Sequence, residues 1–404
     1  MSSFREKVIR VVKGIPEGET MSYGEVAASA GYPGAMRAVG GLMKGNHDPS
    51  VPCHRVVCSD RRIGGYNKGV VEKRRILEME GVVFDGEKVR KRFPKIVTIG
   101  GGTGSFVMLS ALKKHDLDIT AIISMADDGG STGVLRDQYG VLPPGDIRQA
   151  LTALAESSDT LRSLFNYRFG DGSLKGHSFG NLFLAALEKT TGDFGAAVRE
   201  ASLVLNIKGK VVPITLADIR LHARLKNGKV IHGESKIGLK PTKTSPIGSV
   251  WLTPSASANP EAIRAIIKAD LIIICPGSLY TSIIPNFLVD GVKEAVAESR
   301  AKKIYVANLM TKKGETDGMT GRDLLNTLET YMGSNVLDYA IFNSRHPSRS
   351  ALGLYGQEEA KPIFTPRERL SGPKIVSGDF LASGNLIRHD PDGPLAEIIL
   401  SLIS

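Results

Sequence analysis

Long apolar runs are the first feature that the 404-residue sequence lacks. The longest candidates, such as residues 271–275, have the length of a strand, far below the roughly 20 apolar residues that cross a bilayer. The opening residues 1–7 also lack the apolar segment of a secretory signal. We therefore expect no membrane span and a cytoplasmic location.

Cysteine is scarce as well. Three cysteines are too few for a disulfide framework and fit a reducing compartment. Cys53 and Cys58 are close in the sequence, but no His or Cys follows them at zinc-finger spacing. His115, His222 and His232 show no metal-ligand spacing either. The sequence therefore predicts no structural metal centre.

The positive charge is unevenly distributed. The chain has a net charge of +10, and residues 1–94 hold 17 Lys and Arg against 11 Asp and Glu, an excess of six. More than half of the excess charge thus lies on less than a quarter of the chain. A basic segment of this kind favours a polyanionic partner, nucleic acid first, over a merely soluble basic surface.

The composition changes near residue 94 and predicts two domains, 1–93 and 95–404. The first domain reads as mostly helical, with a small hairpin at residues 82–89 where an Asp-Gly turn separates apolar residues. Ser22 and Glu25 form a capping-box signature for a helix. A Gly/Pro turn at residues 31–34 then leads to a second helix. This order predicts a winged helix-turn-helix.

The second helix, residues 35–44, contains Gly40 and Gly41 beside Arg37. Glycines inside a helix cost about 1 kcal/mol each relative to alanine. Close packing of two helices would justify that cost, and so would close approach to a DNA groove. The neighbouring arginine favours the groove.

Cys53 is followed by His54 in a Pro-bearing loop. Cysteine reacts as its thiolate, and neighbouring basic groups favour that form. Adjacency alone is weak evidence, because buried cysteine is often a small apolar residue. The surrounding motifs carry more weight: MSY (21–23), RAVGGLMKGN (37–46), PCHRV (52–56), GGY (64–66) and LEMEG (77–81).

In this order and spacing, these motifs resemble the DNA-binding domain of the methylated-DNA–protein-cysteine methyltransferases. The resemblance covers most of residues 4–90 and implies that Cys53 takes an alkyl group from O6 of guanine in double-stranded DNA. It implies that His54, oriented by Glu80, deprotonates Cys53 through a water, that Tyr23 donates a proton, and that Asn46 braces the preceding turn. The residues implied to contact DNA are Arg37, which fills the gap left by the flipped base, with Ala38, Gly40, Gly41, Arg55 and Lys68.

The second domain opens with a strand at residues 95–99, a glycine cluster at 100–104 and an apolar helix at 106–113. A glycine turn between a strand and a helix presents backbone N–H groups to an anion. The next strand, residues 119–125, ends in Asp127 and Asp128. Acids in this position contact a ribose hydroxyl or a metal, or simply form a tight turn.

Further glycine loops follow the predicted strand ends, and predicted strands alternate with predicted helices. This pattern predicts an α/β fold with a doubly wound, Rossmann-like, mostly parallel sheet whose ligand lies at the carboxyl ends of the strands. A hairpin is predicted as an insertion at residues 220–235. The loops read GGGTG (100–104), DDGGSTG (127–133), PPGDIR (143–148), GHSFGN (176–181), CPGSLYTS (275–282) and NLMTKKGET (308–316).

These loops resemble the gluconeogenesis factor family, relatives of 2-phospho-L-lactate transferase. The resemblance implies a binder of UDP-sugars, a phosphorylated nucleotide-sugar ligand, that regulates carbon metabolism and cell shape. A divalent metal in the same site and a homo-oligomeric state remain open. The residues implied to contact ligand are Gly100, Gly101, Gly102, Thr103 and Gly104, then Asp127, Asp128 and Asn181, and finally Gly277, Ser278, Thr281 and Asn308.

Three functions follow from the two resemblances. An alkyl-acceptor repair protein joined to a nucleotide-sugar binder is preferred. In the second, the larger domain is a transferase that acts on a deazaflavin. In the third, the small domain only binds DNA and the whole chain is a non-enzymatic regulator.

Overall fold

The computed structural model describes residues 3–90, 92–239, 245–355, 360–366, 372–384 and 386–403, without the side chains of residues 354 and 355. The chain divides into two compact units, Met1–Phe93 and Pro94–Ser404. Among the described residues, no helix combines the length and the apolar character that a membrane span requires.

The first unit is mostly helical, as predicted. Its helices are α1 (Phe4–Lys13), α2 (Tyr23–Ser29), α3 (Met36–Lys44) and α4 (Val70–Met79), with a 3₁₀ turn at Cys53–Arg55. Strands β1 (Met21–Ser22) and β2 (Val56–Val57) pair in parallel, and β3 (Phe84–Asp85) and β4 (Lys88–Val89) form the small antiparallel hairpin.

The predicted helix start at Ser22 is confirmed in atomic detail. The Ser22 hydroxyl accepts from Glu25 N, and the Glu25 carboxylate accepts from Ser22 N. This reciprocal cap satisfies two backbone donors that the first helical turn would leave unpaired. Helix α2 then packs Val26 against Val39 of α3 in the core of the unit.

The second unit has a seven-stranded parallel sheet with helices between the strands. Its strands are β5 (Lys95–Gly100), β6 (Asp118–Ile123), β7 (Lys210–Pro213), β11 (Leu271–Ile274), β12 (Lys302–Val306), β13 (Tyr339–Asn343) and β14 (Lys374–Gly378). The order across the sheet is β14-β13-β12-β11-β5-β6-β7.

The helices of this unit connect the strands. They are α5 (Gly102–Leu112), α6 (Gly130–Tyr139), α7 (Gly145–Leu154), α8 (Asp159–Asn166), α9 (Phe179–Thr191), α10 (Phe194–Leu205), α11 (Glu234–Gly238), α12 (Pro260–Ile267), α13 (Ile284–Phe287), α14 (Val292–Glu298), α15 (Gly321–Met332), α16 (Arg349–Tyr355) and α17 (Leu395–Ser401). A π-helical segment, Leu279–Ile283, precedes α13.

The strand order reverses between β5 and β11. The chain runs outward from β5 to β6 and β7, returns to the other side of β5 at β11, and continues to β14. The loops after β5 and β11 diverge to opposite faces at such a switch point and leave a crevice between them. The fold therefore predicts a ligand site where these two loops meet.

Two details differ from the sequence prediction. Helix α5 begins at Gly102, not at residue 106, so the glycine cluster forms its first turn. The predicted hairpin is present as β8 (Arg220–Leu225) and β9 (Val230–His232), but a third strand, β10 (Ile247–Thr253), pairs with β8. The pairing brings His222 to 2.9 Å from His232, which their sequence spacing does not suggest.

Candidate functional sites

Cys53 lies at the start of the 3₁₀ turn that follows Pro52 and is only 6% exposed. Asn46, itself buried, extends its side-chain amide to 3.7 Å from Cys53 Sγ and also donates to Asp48 O at 3.2 Å. Asn46 therefore holds the loop before the turn and directs a donor toward the sulfur. Asn67 donates in turn to Asn46 O, a contact that the sequence motifs did not single out.

His54, Arg55 and Glu80 form an ion-pair cluster beside this turn. His54 Nε2 lies 2.8 Å from Glu80 Oε1. A carboxylate only accepts, so Nε2 carries a proton, and whenever the ring is neutral Nδ1 is its acceptor nitrogen. Burial opposes ionisation of Glu80, but hydrogen bonds from Arg55 and His54 outweigh it and lower the pKa of Glu80. Glu80 therefore stays anionic and fixes the imidazole.

Arg55 was predicted as a DNA contact, but the structure turns it inward. Its guanidinium donates to Glu80 Oε1 at 2.8 Å and to Ile15 O at 2.7 Å, and its side chain is 16% exposed. Its charge and most of its donors are already engaged. Arg55 therefore supports the His54–Glu80 pair and does not form part of an exposed basic surface.

Tyr23 borders the same site, with its hydroxyl 3.5 Å from Gly65 O. Burial, reinforced by Cys58 and Cys53, raises the pKa of Tyr23, so the phenol keeps its proton at neutral pH. Lys73 is fully buried and donates to Val56 O and Gly65 O at 2.5 and 3.3 Å. Burial lowers the pKa of Lys73 to about 8.

The predicted DNA contacts on α3 share an exposed surface. Arg37, Ala38 and Gly41 are exposed, and Gly40 is half-buried. A Cβ added at Gly41 would meet nothing within 4 Å, and one at Gly40 would make only an ordinary contact with the Tyr23 ring. Packing inside the unit therefore does not require either glycine. Lys68, on the loop before α4, is exposed as well.

In the second unit, a cavity of about 390 Å³ opens at the crevice between the loops after β5 and β11. The two loops touch: a Cβ on Gly104 would lie 1.9 Å from Pro276 O, so only glycine fits there. The first turn of α5 directs its backbone N–H groups toward this space. Seven of the predicted ligand residues line the cavity: Gly102, Thr103, Gly104, Asp127, Gly277, Ser278 and Thr281.

Three carboxyl groups converge on the same cavity: Asp127, Asp146 and Glu234. Burial raises the pKa of Asp127, that of Asp146 to about 7 and that of Glu234 to about 8, and the charge of Asp127 adds to the shift of the other two. Ionisation of these carboxyl groups is thus disfavoured by burial and by their mutual repulsion, and nearby cations and hydrogen bonds offset only part of this effect. Such perturbed groups in a cleft are typical of functional sites.

Asp128 does not line the cavity. Its carboxylate accepts from Glu234 N at 3.0 Å and Ser235 N at 2.8 Å, which caps the short helix α11. The two adjacent aspartates therefore divide their roles: Asp127 faces the cavity, and Asp128 holds the helix that presents Glu234. Glu234 lies beyond the inserted hairpin, and nothing in its local sequence marks it.

Four other predicted ligand residues lie behind the cavity wall. Asn308 accepts from Gly277 N at 2.7 Å and donates to Gly277 O at 2.6 Å. Asn181 accepts from Arg148 Nε at 3.0 Å and donates to Ser131 Oγ at 3.2 Å, so its amide is satisfied internally. Gly100 ends β5, and Gly101 is the N-cap residue of α5. These residues support the wall and do not line it.

Lys312 contacts the second loop and was not singled out from the sequence. Its ammonium donates to Ser278 Oγ at 2.7 Å and pairs with Glu315 at 2.5 Å. It follows β12 within the motif at residues 308–316, and its side chain is 39% exposed. The position of Lys312 after the end of a predicted strand was the only sequence feature that could have indicated a role in the site. Lys312 places one positive charge beside the residues that line the cavity.

Comparison with known proteins matches each unit to a protein family. A family model described as 2-phospho-L-lactate transferase CofD matches residues 96–381, and one described as the 6-O-methylguanine DNA methyltransferase DNA-binding domain matches residues 3–82. The gluconeogenesis factor of Bacillus subtilis is 44% identical over 315 residues, which are 77% of this chain and 98% of that protein. The crystal structure of protein BH3568 from Bacillus halodurans is 40% identical with a TM-score of 0.74, covering 76% of this chain and all of that one. The chain therefore belongs to the CofD family, with gluconeogenesis factors among its relatives, and carries a DNA-binding domain of the 6-O-methylguanine DNA methyltransferase type in residues 3–82.

Proposed function

We propose that the first unit is an alkyl acceptor that takes the alkyl group from O6-alkylguanine in DNA. The observation that carries this proposal is the buried thiol of Cys53 next to His54, whose Nε2 is held by Glu80. His54 Nδ1 accepts the thiol proton through a water, and the Cys53 sulfur attacks the alkyl carbon. The bond from that carbon to O6 breaks, its electron pair passes into the purine ring, and Tyr23 donates a proton to the departing guanine. The product is a thioether, so each chain reacts once.

DNA binding by this unit is supported by α3. Gly40 and Gly41 leave a flat surface next to the exposed Arg37. Because packing inside the unit does not require these glycines, close approach of DNA to the helix explains their presence. The thiol is buried, so the target base must leave the stack to reach it. We expect Arg37, exposed on the same helix, to occupy the space that the base vacates. Transfer of a methyl group from an O6-methylguanine duplex to Cys53 is the test.

We infer that the second unit binds a nucleotide sugar, with its diphosphate at the first turn of α5. Gly102–Gly104 supply backbone donors, and Gly277, Ser278 and the nearby Lys312 approach from the opposite loop. Helix N-termini preceded by glycine turns favour phosphate groups. The gluconeogenesis factor of Bacillus subtilis supports a regulatory role in carbon metabolism, and the family resemblance extends that role to cell shape.

A divalent cation fits the carboxylates of this cavity. Asp127 and Asp146 both have raised pKa values, and an anionic diphosphate beside them would add to the repulsion. Mg²⁺ is usually held by one or two carboxylates together with substrate phosphates. In the described part of the chain, no group of three or more His, Cys, Asp and Glu side chains could hold a metal alone. A cation at Asp127 and Asp146 would therefore neutralise charge and need the ligand's phosphates.

Removal of divalent cations is expected to weaken UDP-glucose binding by about tenfold or more, which corresponds to about 1.4 kcal/mol. The reason is the repulsion between the diphosphate and the carboxylates of Asp127 and Asp146. Calorimetric titration of the full chain in Mg²⁺, and again with EDTA, measures the effect. Equal affinity under both conditions would contradict the cation, and no binding under either would contradict the nucleotide-sugar assignment.

A further inference from the structure

A second cavity, of about 500 Å³, lies between α15 and the beginning of β10. No residue lines both this cavity and the cavity at α5. Its volume is within the range of small-molecule sites, roughly 300 to 1,000 Å³. None of the sequence motifs predicted it, because its lining comes from several separate segments. We call it the α15 cavity.

The lining of the α15 cavity is rich in neutral hydrogen-bonding groups. Asn326, Thr327 and Thr330 project from α15, and Tyr280 and Tyr331 add two phenol rings. The Tyr331 hydroxyl accepts from Val250 N at 3.1 Å, which fixes one ring at the wall. Hydroxyls and amides both donate and accept, so this set matches a ligand with many hydroxyl groups.

Glu315 supplies an independent sign of a missing partner. This residue lines the cavity, and its side chain is fully buried. Its Oε1 accepts from Lys312 Nζ at 2.5 Å and from Thr281 Oγ1 at 3.3 Å, whereas Oε2 has no hydrogen-bond partner among the described residues. A buried carboxylate oxygen without a donor is unfavourable, so a small rotation of Glu315 toward a ligand hydroxyl in the cavity would be stabilising.

Glu315 also connects the two cavities. Thr281, which it contacts, lines the cavity at α5, and Lys312 joins Glu315 to Ser278 of that same cavity. The two cavities therefore adjoin at the contacts of Glu315 with Thr281 and Lys312.

We propose that the α15 cavity binds a carbohydrate ring. The shared chemistry is a set of ring hydroxyls, carried either by the glycosyl group of a nucleotide sugar or by a free monosaccharide. The first source rests on the proposed nucleotide-sugar function, and the second does not.

Thr330→Trp in the full chain tests the proposal. Thr330 is exposed on α15, and its hydroxyl donates to the carbonyl four residues earlier at 2.9 Å, so an indole there fills the cavity without entering the core. Thr190 on α9 is also exposed and makes the same bond at 2.9 Å, which makes Thr190→Trp the matched control. Asn326→Ala is the milder second variant and removes one lining amide.

UDP-glucose, UDP and glucose are the three probes for calorimetry. Thr330→Trp is expected to weaken UDP-glucose binding by about tenfold or more while UDP binds as to the parent and to Thr190→Trp. If Thr330→Trp loses glucose binding but keeps UDP-glucose binding, the result would support the cavity with a free sugar as its ligand. Unchanged binding of UDP-glucose and glucose by both α15 variants would overturn the proposal, as would equal losses for UDP and UDP-glucose. Failure of the parent to bind UDP or UDP-glucose would refute the nucleotide-sugar function, yet glucose binding sensitive to Thr330→Trp would still support the cavity. No binding of any probe overturns both.

Discussion

Glu80→Gln is expected to slow methyl transfer to Cys53 by about 10²- to 10⁴-fold, the usual contribution of a positioned general base. The carboxylate of Glu80 accepts a hydrogen bond from Nε2 of His54 at 2.8 Å. The other ring nitrogen, Nδ1, is therefore the one that can accept the thiol proton through the water. A neutral amide can present its NH₂ group to Nε2 instead, which permits the wrong tautomer and removes the anion that stabilises an imidazolium. Single-turnover rates on an O6-methylguanine duplex measure the effect.

Glu78→Gln is the matched control for this variant. Glu78 lies in the last turn of α4, two residues before Glu80 at the end of that helix, and pairs with Arg74 at the surface at 2.9 Å. It should react like the parent. The pH dependence of the rate must change in Glu80→Gln, because the base itself is altered, and thermal unfolding shows whether Arg55 has lost its support. If Glu80→Gln kept the rate and the pH profile of the parent, His54 and Glu80 would have no part in the chemistry.

This site could be predicted from the sequence because its residues lie within short motifs that follow one another in a fixed order. Cys53 and His54 are adjacent, and the capping box at Ser22 fixes the start of the helix that carries Tyr23. The orientation of Arg55 could not be predicted, since an arginine in a basic domain can face DNA or an internal carboxylate. Its inward direction depends on Ile15 O and Glu80, which come from distant segments.

Asp146→Asn is expected to remove most of the Mg²⁺ dependence of UDP-glucose binding, a loss of about tenfold or more. In the parent, burial raises the pKa of Asp146 to about 7, so the carboxyl is protonated below that pH and cannot hold a cation. The Mg²⁺-dependent affinity should therefore rise between about pH 6 and about pH 8. The variant should lack the part of this rise that Asp146 contributes. Titrations at both pH values measure it.

Folding stability gives a second readout for Asp146. A carboxyl whose pKa is raised in the folded state contributes stability that is fully present below its ordinary pKa of 3.8 and is lost progressively as the pH rises from there to about 7. The stability of Asp146→Asn relative to the parent should therefore increase over this interval. Asp159→Asn, at a carboxyl that is 91% exposed, is the control. Parallel profiles for the parent and Asp146→Asn would contradict the raised pKa of Asp146.

The second site was predictable in position but not in its charge. The glycine loops after β5 and β11 could be placed at strand ends from the sequence, and the parallel sheet brings them together. Glu234 reaches the cavity only because Asp128 caps α11, a contact between segments more than 100 residues apart. The predicted roles of Asn181 and Asn308 assumed that a polar residue in a glycine loop faces the ligand, whereas both hold neighbouring backbone or side chains.

The mass of the intact chain after incubation with an O6-methylguanine duplex tests the central claim most directly. The parent and Cys58→Ala should each gain the mass of one methyl group, and Cys53→Ala should gain none. Cys58 is the suitable control because it lies in the same unit and is only partly buried. Absence of any gain by the parent, with the duplex still bound, would contradict alkyl transfer and leave the first unit as a DNA binder.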